Sequence, residues 1–169
     1  MALLGLKETV QSHGLMAKKV LGQNFLLDMN ITQKIVRESL RRQQKADFSA
    51  TNVIEVGPGP GGLTRAILDN QPQTLTVAEM DERCVEIMQE LQSETAISFS
   101  IVHGDALRQN FPQMVPAPRQ IISNLPYNIS VALLTGWLKE IGEYEALTLM
   151  FQKEVAERIM AAPGSKTYG

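Results

Sequence analysis

One tetrapeptide, Asn124-Leu125-Pro126-Tyr127, combines the groups needed to hold an aromatic amine. The side-chain oxygen of Asn124 and a neighbouring backbone carbonyl can both accept hydrogen bonds from an exocyclic amine. Two such acceptors would draw the delocalised lone pair of the amine towards a tetrahedral shape, from which it can attack an electrophile. Pro126 stiffens the turn, and the Tyr127 ring offers a surface on which a base can stack, typically worth about 1–3 kcal/mol. We predict that all four residues are catalytic; the alternative is an ordinary Asn-x-Pro turn with a surface tyrosine.

A glycine-rich turn provides a second candidate site, because Gly57, Gly59 and Gly62 match the pattern GxGxxG between a predicted strand and a predicted helix. Such a turn lets the backbone approach a ligand closely, and the helix amino terminus favours an anionic group. NAD enzymes and methyltransferases share this pattern. Pro58 and Pro60 each remove a backbone N–H that a pyrophosphate would need, which favours S-adenosylmethionine, a cofactor with a carboxylate and no phosphate. A tight turn without a ligand is the alternative.

Two acids follow at the ends of later predicted strands. Glu79 lies 22 residues after Gly57, where a carboxylate can accept hydrogen bonds from the ribose hydroxyls of a nucleoside. The alternative is an acid that favours the start of a helix, a role for which Asp81 is better placed. Asp105 ends the next strand and could accept the amine of the cofactor's adenine, or could simply be a turn or cap residue. Glu55, within the first strand, is expected to bond loop amides and organise the glycine turn.

These residues require a scaffold, and the sequence alternates between strand and helix patterns. The predicted strands lie in the segments NVIEV, TLTVAEMD, ISFSIVHGDA, QIISNLPY and ALTLMF. Five strands that alternate with helices, without tight hairpins, predict an α/β fold with a parallel sheet and helices on both faces. In such sheets ligands bind beyond the carboxyl ends of the strands, which is where Gly57, Glu79, Asp105 and Asn124 are predicted to lie.

The predicted helices follow from apolar residues at helical spacing. Asp28 is predicted to cap a helix that runs through Ile31, Ile35, Val36 and Leu40. The remaining helix patterns are the segment LTRAIL, the stretch through Val85, Met88 and Leu91, the stretch through Val131, Leu134, Leu138 and Ile141, and the segment KEVAERIM. Residues 1–17 show no sustained period, so we predict a flexible, loosely attached arm there.

Composition favours a single cytoplasmic domain without membrane association. The 169 residues fit one domain, the single cysteine gives neither a disulfide nor a metal site, and no apolar run is long enough to cross a bilayer. The net charge of −2 argues mildly against strong RNA binding. Basic residues do gather locally, either as a solvated helix face or as RNA contacts: Lys18, Lys19, Arg37, Arg41, Arg42 and Lys45.

Five blocks, KKVLGQNFLLD, IEVGPGPGGLT, GDA, SNLPYNIS and FQKEVAERI, resemble in order the signature blocks of the ribosomal RNA adenine dimethyltransferases, from about Lys18 to the end. The resemblance implies a Rossmann-like class I methyltransferase fold, with S-adenosylmethionine as cofactor and no metal. It also implies two methylations on the exocyclic amine of each of two adjacent adenosines near the 3′ end of small-subunit ribosomal RNA. From the QNFL block it adds Asn24 and Leu26 as cofactor contacts. The full set expected to bind the cofactor is Asn24, Leu26, Gly57, Gly59, Glu79, Asp105 and Asn124.

The resemblance also sets an expectation for the domains. Residues 18–169 would form the S-adenosylmethionine-binding domain, without the last two of seven strands and without a C-terminal domain that grips RNA. We expect such a chain to bind cofactor, to turn over poorly and to be a monomer whose exposed sheet edge favours self-association. Its expected partner is ribosomal RNA in the small subunit. Three other functions stay open: an NAD-dependent oxidoreductase, a binding module that kept the fold without the activity, and a DNA adenine methyltransferase.

Overall fold

A five-stranded parallel sheet forms the centre of the computed structural model, which describes residues 5–15 and 25–168. The strands are β1 (Asn52–Val56), β2 (Thr74–Glu79), β3 (Ser98–His103), β4 (Arg119–Asn124) and β5 (Ala146–Met150). They lie in the order β3-β2-β1-β4-β5, and each neighbouring pair is parallel. The predicted α/β class and the five predicted strands are therefore confirmed.

Helices cover both faces of this sheet. They are α1 (Leu6–Ser12), α2 (Met29–Gln43), α3 (Gly62–Leu68), α4 (Glu82–Glu94), α5 (Phe111–Met114), α6 (Ser130–Lys139) and α7 (Lys153–Ile159). On one face, apolar side chains from α2, α3 and α4 form a core with β1, β2 and β3. On the other face, α5 and α6 form a second core with β1 and β4. Both cores are built around β1, all of whose residues are buried.

The strand order reverses beside β1, and this reversal decides where a ligand can bind. The chain passes outward from β1 to β2 and β3, then returns to form β4 on the other side of β1. The loops that follow β1 and β4 therefore diverge onto opposite faces and leave a crevice between them. Gly57 follows β1, and Asn124 is the last residue of β4. The topology thus places the glycine turn and the tetrapeptide Asn124-Leu125-Pro126-Tyr127 on the two sides of one crevice.

The helix that precedes the sheet begins as predicted at Asp28. Its side-chain Oδ1 accepts a hydrogen bond from the backbone N–H of Asn30 at 2.9 Å, which satisfies one of the free donors of the first turn. Val36 and Leu40 point inward and are buried in the core. The predicted cap is confirmed, and the predicted apolar face is confirmed at Val36 and Leu40. Ile35 is only partly buried, and the prediction is wrong for Ile31, which is 44% exposed near the start of the helix.

The prediction of a loosely attached arm does not hold for residues 5–15. Helix α1 buries Leu6 and Thr9, and Leu15 just beyond it is 1% exposed within the core. The Arg65 guanidinium of α3 also donates a hydrogen bond to the Thr9 hydroxyl at 3.3 Å. The segment is too short to show a clear period, yet its few apolar side chains are sufficient to pack it against the domain.

The predicted apolar face of α6 is also wrong. We expected the helix to run through Val131, Leu134, Leu138 and Ile141. The helix instead ends at Lys139. Its buried apolar side chains are Leu133 and Trp137, whereas Val131 and Leu138 are exposed. Two apolar stripes compete on this helix, and the bulk of Trp137 favours the one that contains it.

One long edge of the sheet is formed by β5, whose only strand neighbour in the described residues is β4. All five of its residues are half-buried, whereas five of the six residues of β4 are buried. Within residues 5–15 and 25–168, none of the helices has both the length and the apolar character needed to cross a membrane.

Candidate functional site

A cavity of about 550 Å³ opens at the carboxyl edge of the sheet, between the loops that follow β1 and β4. It brings together every predicted site residue that the structure describes: Leu26, Gly57, Gly59, Glu79, Asp105, Asn124, Leu125, Pro126 and Tyr127. Asn24, the remaining predicted residue, lies outside the described residues. Parallel strands explain the convergence, because their carboxyl ends meet at one edge although the residues are up to 101 positions apart in sequence.

The glycine turn faces the cavity and also packs against the side chains of Pro126 and Phe25. Gly57 and Gly59 have φ angles of +67° and +55°, a region that favours glycine because side chains clash there. A Cβ on Gly57 would lie 3.0 Å from Cγ of Pro126, and one on Gly59 would lie 2.9 Å from Cδ1 of Phe25. The absent side chains therefore leave room for Pro126 of the tetrapeptide and for Phe25, which the sequence analysis did not single out. Both contacts connect the turn to other walls of the cavity.

Glu79 is held at the end of β2 as an acceptor of backbone hydrogen bonds. Its side chain receives N–H groups from Met80 at 2.7 Å, Asp81 at 2.9 Å and Gly59 at 3.2 Å. Burial raises the pKa of Glu79, which is 7% exposed, and the three backbone donors act in the opposite direction. Asp81, and not Glu79, caps α4 by accepting the backbone N–H of Arg83 at 3.1 Å. The carboxylate of Glu79 is thus placed between the glycine turn and the cavity.

Asp105 has the cap role that the sequence left open, and its side chain also faces the cavity. Its Oδ1 accepts the backbone N–H of Leu107 at 2.9 Å and so caps the 3₁₀ turn Ala106–Arg108. Its Oδ2 lies 3.7 Å from Nε of Arg108, a weak and exposed ion pair. The side chain is one-third exposed and lines the cavity. Asp105 therefore has acceptor capacity left for a ligand while it shapes the loop.

The tetrapeptide after β4 is fixed from both ends. Its start is held by the backbone N–H of Leu125, which donates to the Met150 carbonyl of β5 at 3.4 Å. Its end is held by α6, whose Ser130 hydroxyl donates to the Tyr127 carbonyl at 3.2 Å. Leu125 is 1% exposed, whereas Asn124 and Tyr127 are half-buried. An amide, a backbone segment and an aromatic ring therefore form one wall of the cavity.

A comparison with protein families shows what kind of chain presents this arrangement. The family model described as "Ribosomal RNA adenine dimethylase" matches residues 14–169. The chain belongs to the ribosomal RNA adenine dimethylase family. Among curated relatives, the ribosomal RNA small subunit methyltransferase A of Gluconobacter oxydans is 48% identical over 168 residues, and that of a Jannaschia species is 45% identical over 167 residues.

These relatives are nearly twice as long as the chain. The alignments cover 99% and 97% of this chain but 54% and 56% of the two proteins, so the chain spans a little over half of their length. Among solved structures, a dimethyladenosine transferase from Plasmodium falciparum matches 84% of this chain and 48% of its own, with 27% identity and a TM-score of 0.69. The 23S rRNA methyltransferase ErmE matches 80% of this chain and 50% of its own, with 26% identity and a TM-score of 0.64.

Glu55 lies in β1, close to the glycine turn that follows this strand. We expected its carboxylate to bond loop amides, but Oε2 instead accepts a hydrogen bond from the Thr64 hydroxyl of α3 at 2.7 Å. Burial, together with repulsion from Glu79, raises the pKa of Glu55 to about 8, against the lowering effect of Thr64. The carboxyl group is therefore largely protonated at neutral pH. A buried neutral acid thus joins β1 to the helix that follows the turn.

We predict that Glu55→Gln removes a pH dependence from the stability of this domain. The folded pKa of about 8 lies above the ordinary 4.5, so between these values the folded chain binds more protons than the unfolded chain. Its free energy of unfolding consequently falls as pH rises, by up to about 1 kcal/mol per pH unit from this group. Urea denaturation between pH 5 and pH 8 measures the free energy of unfolding of both proteins. As pH rises, the stability of the glutamine variant should increase relative to that of the native chain. A constant difference between the two proteins would contradict the assignment.

A second prediction concerns the packing over the glycine turn. A Cβ on Gly62 would overlap the backbone carbonyl oxygen of Leu26 and lie 3.2 Å from Cδ2 of Leu6. We expect Gly62→Ala to lower the free energy of unfolding by about 1–3 kcal/mol, because backbone cannot yield as a flexible side chain does. Gly136→Ala is the matched control. A Cβ there meets nothing within 4 Å, so the change should stabilise α6 by roughly 0.5–1 kcal/mol. Equal effects in the two denaturation curves would contradict the prediction.

Proposed function

We propose that this chain binds S-adenosylmethionine in the cavity and presents it to the exocyclic amine of an adenosine in small-subunit ribosomal RNA. The observation on which this rests is that Glu79, Asp105 and Asn124 line one cavity at the point where the strand order reverses. About 550 Å³ falls within the range of about 300–1,000 Å³ typical of sites for small ligands. The family and the names of its relatives support the same reaction.

The donors and acceptors present fit a nucleoside cofactor. Glu79 already accepts three backbone N–H groups, and a carboxylate has about four acceptor positions, so about one remains for a ribose hydroxyl. The 3.2 Å bond from Gly59 is the longest of the three and is the one that a second hydroxyl would replace. Asp105 would accept the adenine amine. The turn at Gly57 and Gly59, together with Leu26 and the predicted Asn24, would enclose the rest of the molecule.

The residues of the tetrapeptide would prepare the attacking amine. When bound, S-adenosylmethionine supplies an electrophilic methyl group whose leaving group is a neutral thioether. The Asn124 side-chain oxygen and a backbone carbonyl beside it would accept hydrogen bonds from the two N–H groups of the amine. These two bonds would orient the nitrogen lone pair. Tyr127 would stack on the target base once that base has left its RNA stack. Positioning and fixed dipoles then lower the barrier without movement of the protein during the reaction.

The substrate in this proposal is a pair of adjacent adenosines near the 3′ end of small-subunit RNA, each methylated twice in the cytoplasm during ribosome biogenesis. The relatives named as small-subunit methyltransferases support this choice. Residues 18–169 act in the proposal as the cofactor-binding domain. We expect residues 18–169 by themselves to bind cofactor well but to turn over poorly.

Two measurements test this function together. Calorimetric titration with S-adenosylmethionine should give saturable binding, and titration with NADH should give none. Tritiated cofactor, with the chain in excess over small subunits that lack the modification, should then show slow methyl transfer to adenosine. Preferential binding of NADH would replace the proposal with an oxidoreductase. Cofactor binding without transfer to RNA or DNA, even over long incubation, would leave only a binding module, and transfer to DNA alone would change the substrate.

A further inference from the structure

Charge is unevenly distributed over the face of the sheet that α2, α3 and α4 cover. Helix α4 contains four glutamates and one arginine, whereas α2 contains one glutamate and four cations. Those four cations, which we call the basic flank, are Lys34, Arg37, Arg41 and Arg42. All are exposed. For a chain whose net charge is −2, this flank is a local excess of positive charge.

One acid, Glu38, lies among the cations of the basic flank, and its charge acts on Arg41, Arg42 and Lys34. Arg41 pairs with Glu38 at 2.7 Å, an exposed pair within the same helix. For Lys34, Arg37 and Arg42, the described part of the chain contains no ion pair. Lys45, which the sequence groups with them, differs, because its Nζ is held by Glu145 at 2.6 Å and by the Thr51 hydroxyl at 2.8 Å. Lys45 is therefore a structural cation and not part of the flank.

Helix α2 starts close to the rim of the cavity, and the basic flank lies further along it, from about 7.5 Å beyond Met29. Leu26 lines the cavity, and α2 begins three residues later at Met29. The helix then runs against the strand direction. Its Ser39 hydroxyl accepts a hydrogen bond from Thr148 of β5 at 2.9 Å, and Gln43 near its end donates to Gln120 at the start of β4 at 2.6 Å.

The length of the flank suits a nucleic acid strand. At about 1.5 Å per residue, Lys34 and Arg42 are separated by about 12 Å along the helix axis, which is enough for several backbone phosphates. Lys34, Arg37 and Arg41 lie on one side of the helix because they are three and four residues apart. A row of cations on a helix that leads away from the cavity therefore matches the path of a polyanion whose end enters that cavity.

We propose that the basic flank binds the phosphate backbone of the RNA strand that continues from the base held in the cavity. The proposal rests on the proposed function, because it assigns a path to the RNA that this function requires. The glutamates of α4 repel phosphate, so the strand leaves the site over α2. These contacts are independent of sequence, since arginine and lysine side chains bind phosphate oxygens on any nucleotide.

The salt dependence of RNA binding tests this surface. We compare the native chain with the triple variant Lys34→Gln, Arg37→Gln, Arg42→Gln, which leaves the Arg41–Glu38 pair in place. The probe is a fluorescein-labelled RNA stem-loop with unpaired adenosines, titrated at several salt concentrations. Each lost phosphate contact should lower the slope of log Kd against log salt by about 0.7–0.9. For the triple variant, we expect a slope that is lower by about 2. We also expect it to bind the RNA about 10 to 100 times more weakly at low salt.

Two controls separate this surface from a general effect of charge. The variant Lys7→Gln, Lys139→Gln, Lys166→Gln removes the same charge from exposed positions outside α2 and should change the slope by less than about 0.5. Glu38→Gln should act in the opposite direction and tighten RNA binding several-fold. It removes the one acid of α2 and releases Arg41 from its ion pair.

The outcomes distinguish the surface from the function. Equal slopes for the two triple variants, or a native chain that does not bind the RNA, would overturn the basic flank as an RNA surface. Calorimetric titration of the same proteins with S-adenosylmethionine tests the function separately, since no residue of the flank lines the cavity. Unchanged cofactor affinity alongside a reduced slope is the result we expect. If the native chain does not bind S-adenosylmethionine, the proposed function is refuted, whatever the salt dependence of RNA binding shows.

Discussion

Glu79→Ala is expected to weaken binding of S-adenosylmethionine at least about a hundredfold, which corresponds to about 3 kcal/mol. The change removes the acceptor proposed for the ribose hydroxyls, a charged hydrogen bond worth about 1.5–3 kcal/mol. It also releases the backbone N–H groups of Met80, Asp81 and Gly59 from their common partner. The glycine turn then loses a support on the cavity side. Isothermal titration calorimetry of the folded variant measures the effect directly.

The matched control for this prediction is Glu82→Ala. Glu82 has the same charge and lies three residues further along, but it is exposed in the first turn of α4 and does not line the cavity. Its removal should leave cofactor affinity within about twofold, because interactions at such exposed positions are weak. Denaturation curves must accompany both titrations, since Glu79 is buried and its loss also alters stability. Similar affinities for the two folded variants would remove Glu79 from the cofactor site.

Asn124→Ala is expected to slow methyl transfer about 100- to 1,000-fold while cofactor affinity changes by less than about tenfold. Loss of one well-placed polar group at a reacting centre has an effect of this size, because the group acts on charge that develops only in the transition state. Asn124→Asp keeps an acceptor oxygen at the same place and should retain more activity than the alanine variant. Transfer of a tritiated methyl group under single-turnover conditions measures the rate, and calorimetry measures affinity.

Asn128 provides the comparison for this second prediction. It carries the same amide and lines the same cavity, but it is exposed and follows the tetrapeptide. Asn128→Ala should therefore slow transfer by no more than about threefold, the effect expected of a group that does not act on the transition state. If both alanine variants slow the reaction equally, the amide of Asn124 has no special role. If Asn124→Ala instead abolishes cofactor binding, Asn124 is a binding residue and not a catalytic one.

Much of the site follows from sequence because a parallel sheet gathers the ends of its strands. Glu79 and Asn124 could be assigned to one edge once their strands were identified, with no knowledge of any contact between them. The cap at Asp28 and its helix could also be predicted, since both depend on residues close in sequence. Local patterns therefore determine the elements and the approximate position of the site.

Other features depend on residues that are distant in sequence, and local patterns do not determine them. The partner of Glu55 is Thr64, and the space beside Gly59 is filled by Phe25; neither pairing has a sequence signature. The packing of α1 was missed because seven residues are too few to show a period. The buried face of α6 was missed because two apolar stripes compete on that helix, and the spacing alone does not show which of them is buried. In each case, side-chain packing decided between arrangements that the local sequence permits.

The contact between Pro126 and the turn at Gly57 joins the two halves of the cavity. A Cβ on Gly57 would lie 3.0 Å from Cγ of Pro126, so neither loop can shift towards the other without displacing it. In the proposed function, the nucleoside of the cofactor lies on one side of this contact and the target base on the other, so we expect each ligand to affect the binding of the other. Thermodynamic reciprocity then requires that, whatever factor the bound cofactor contributes to RNA affinity, bound RNA returns the same factor to cofactor affinity. The order in which the two ligands arrive can change the path to the ternary state, but not its free energy.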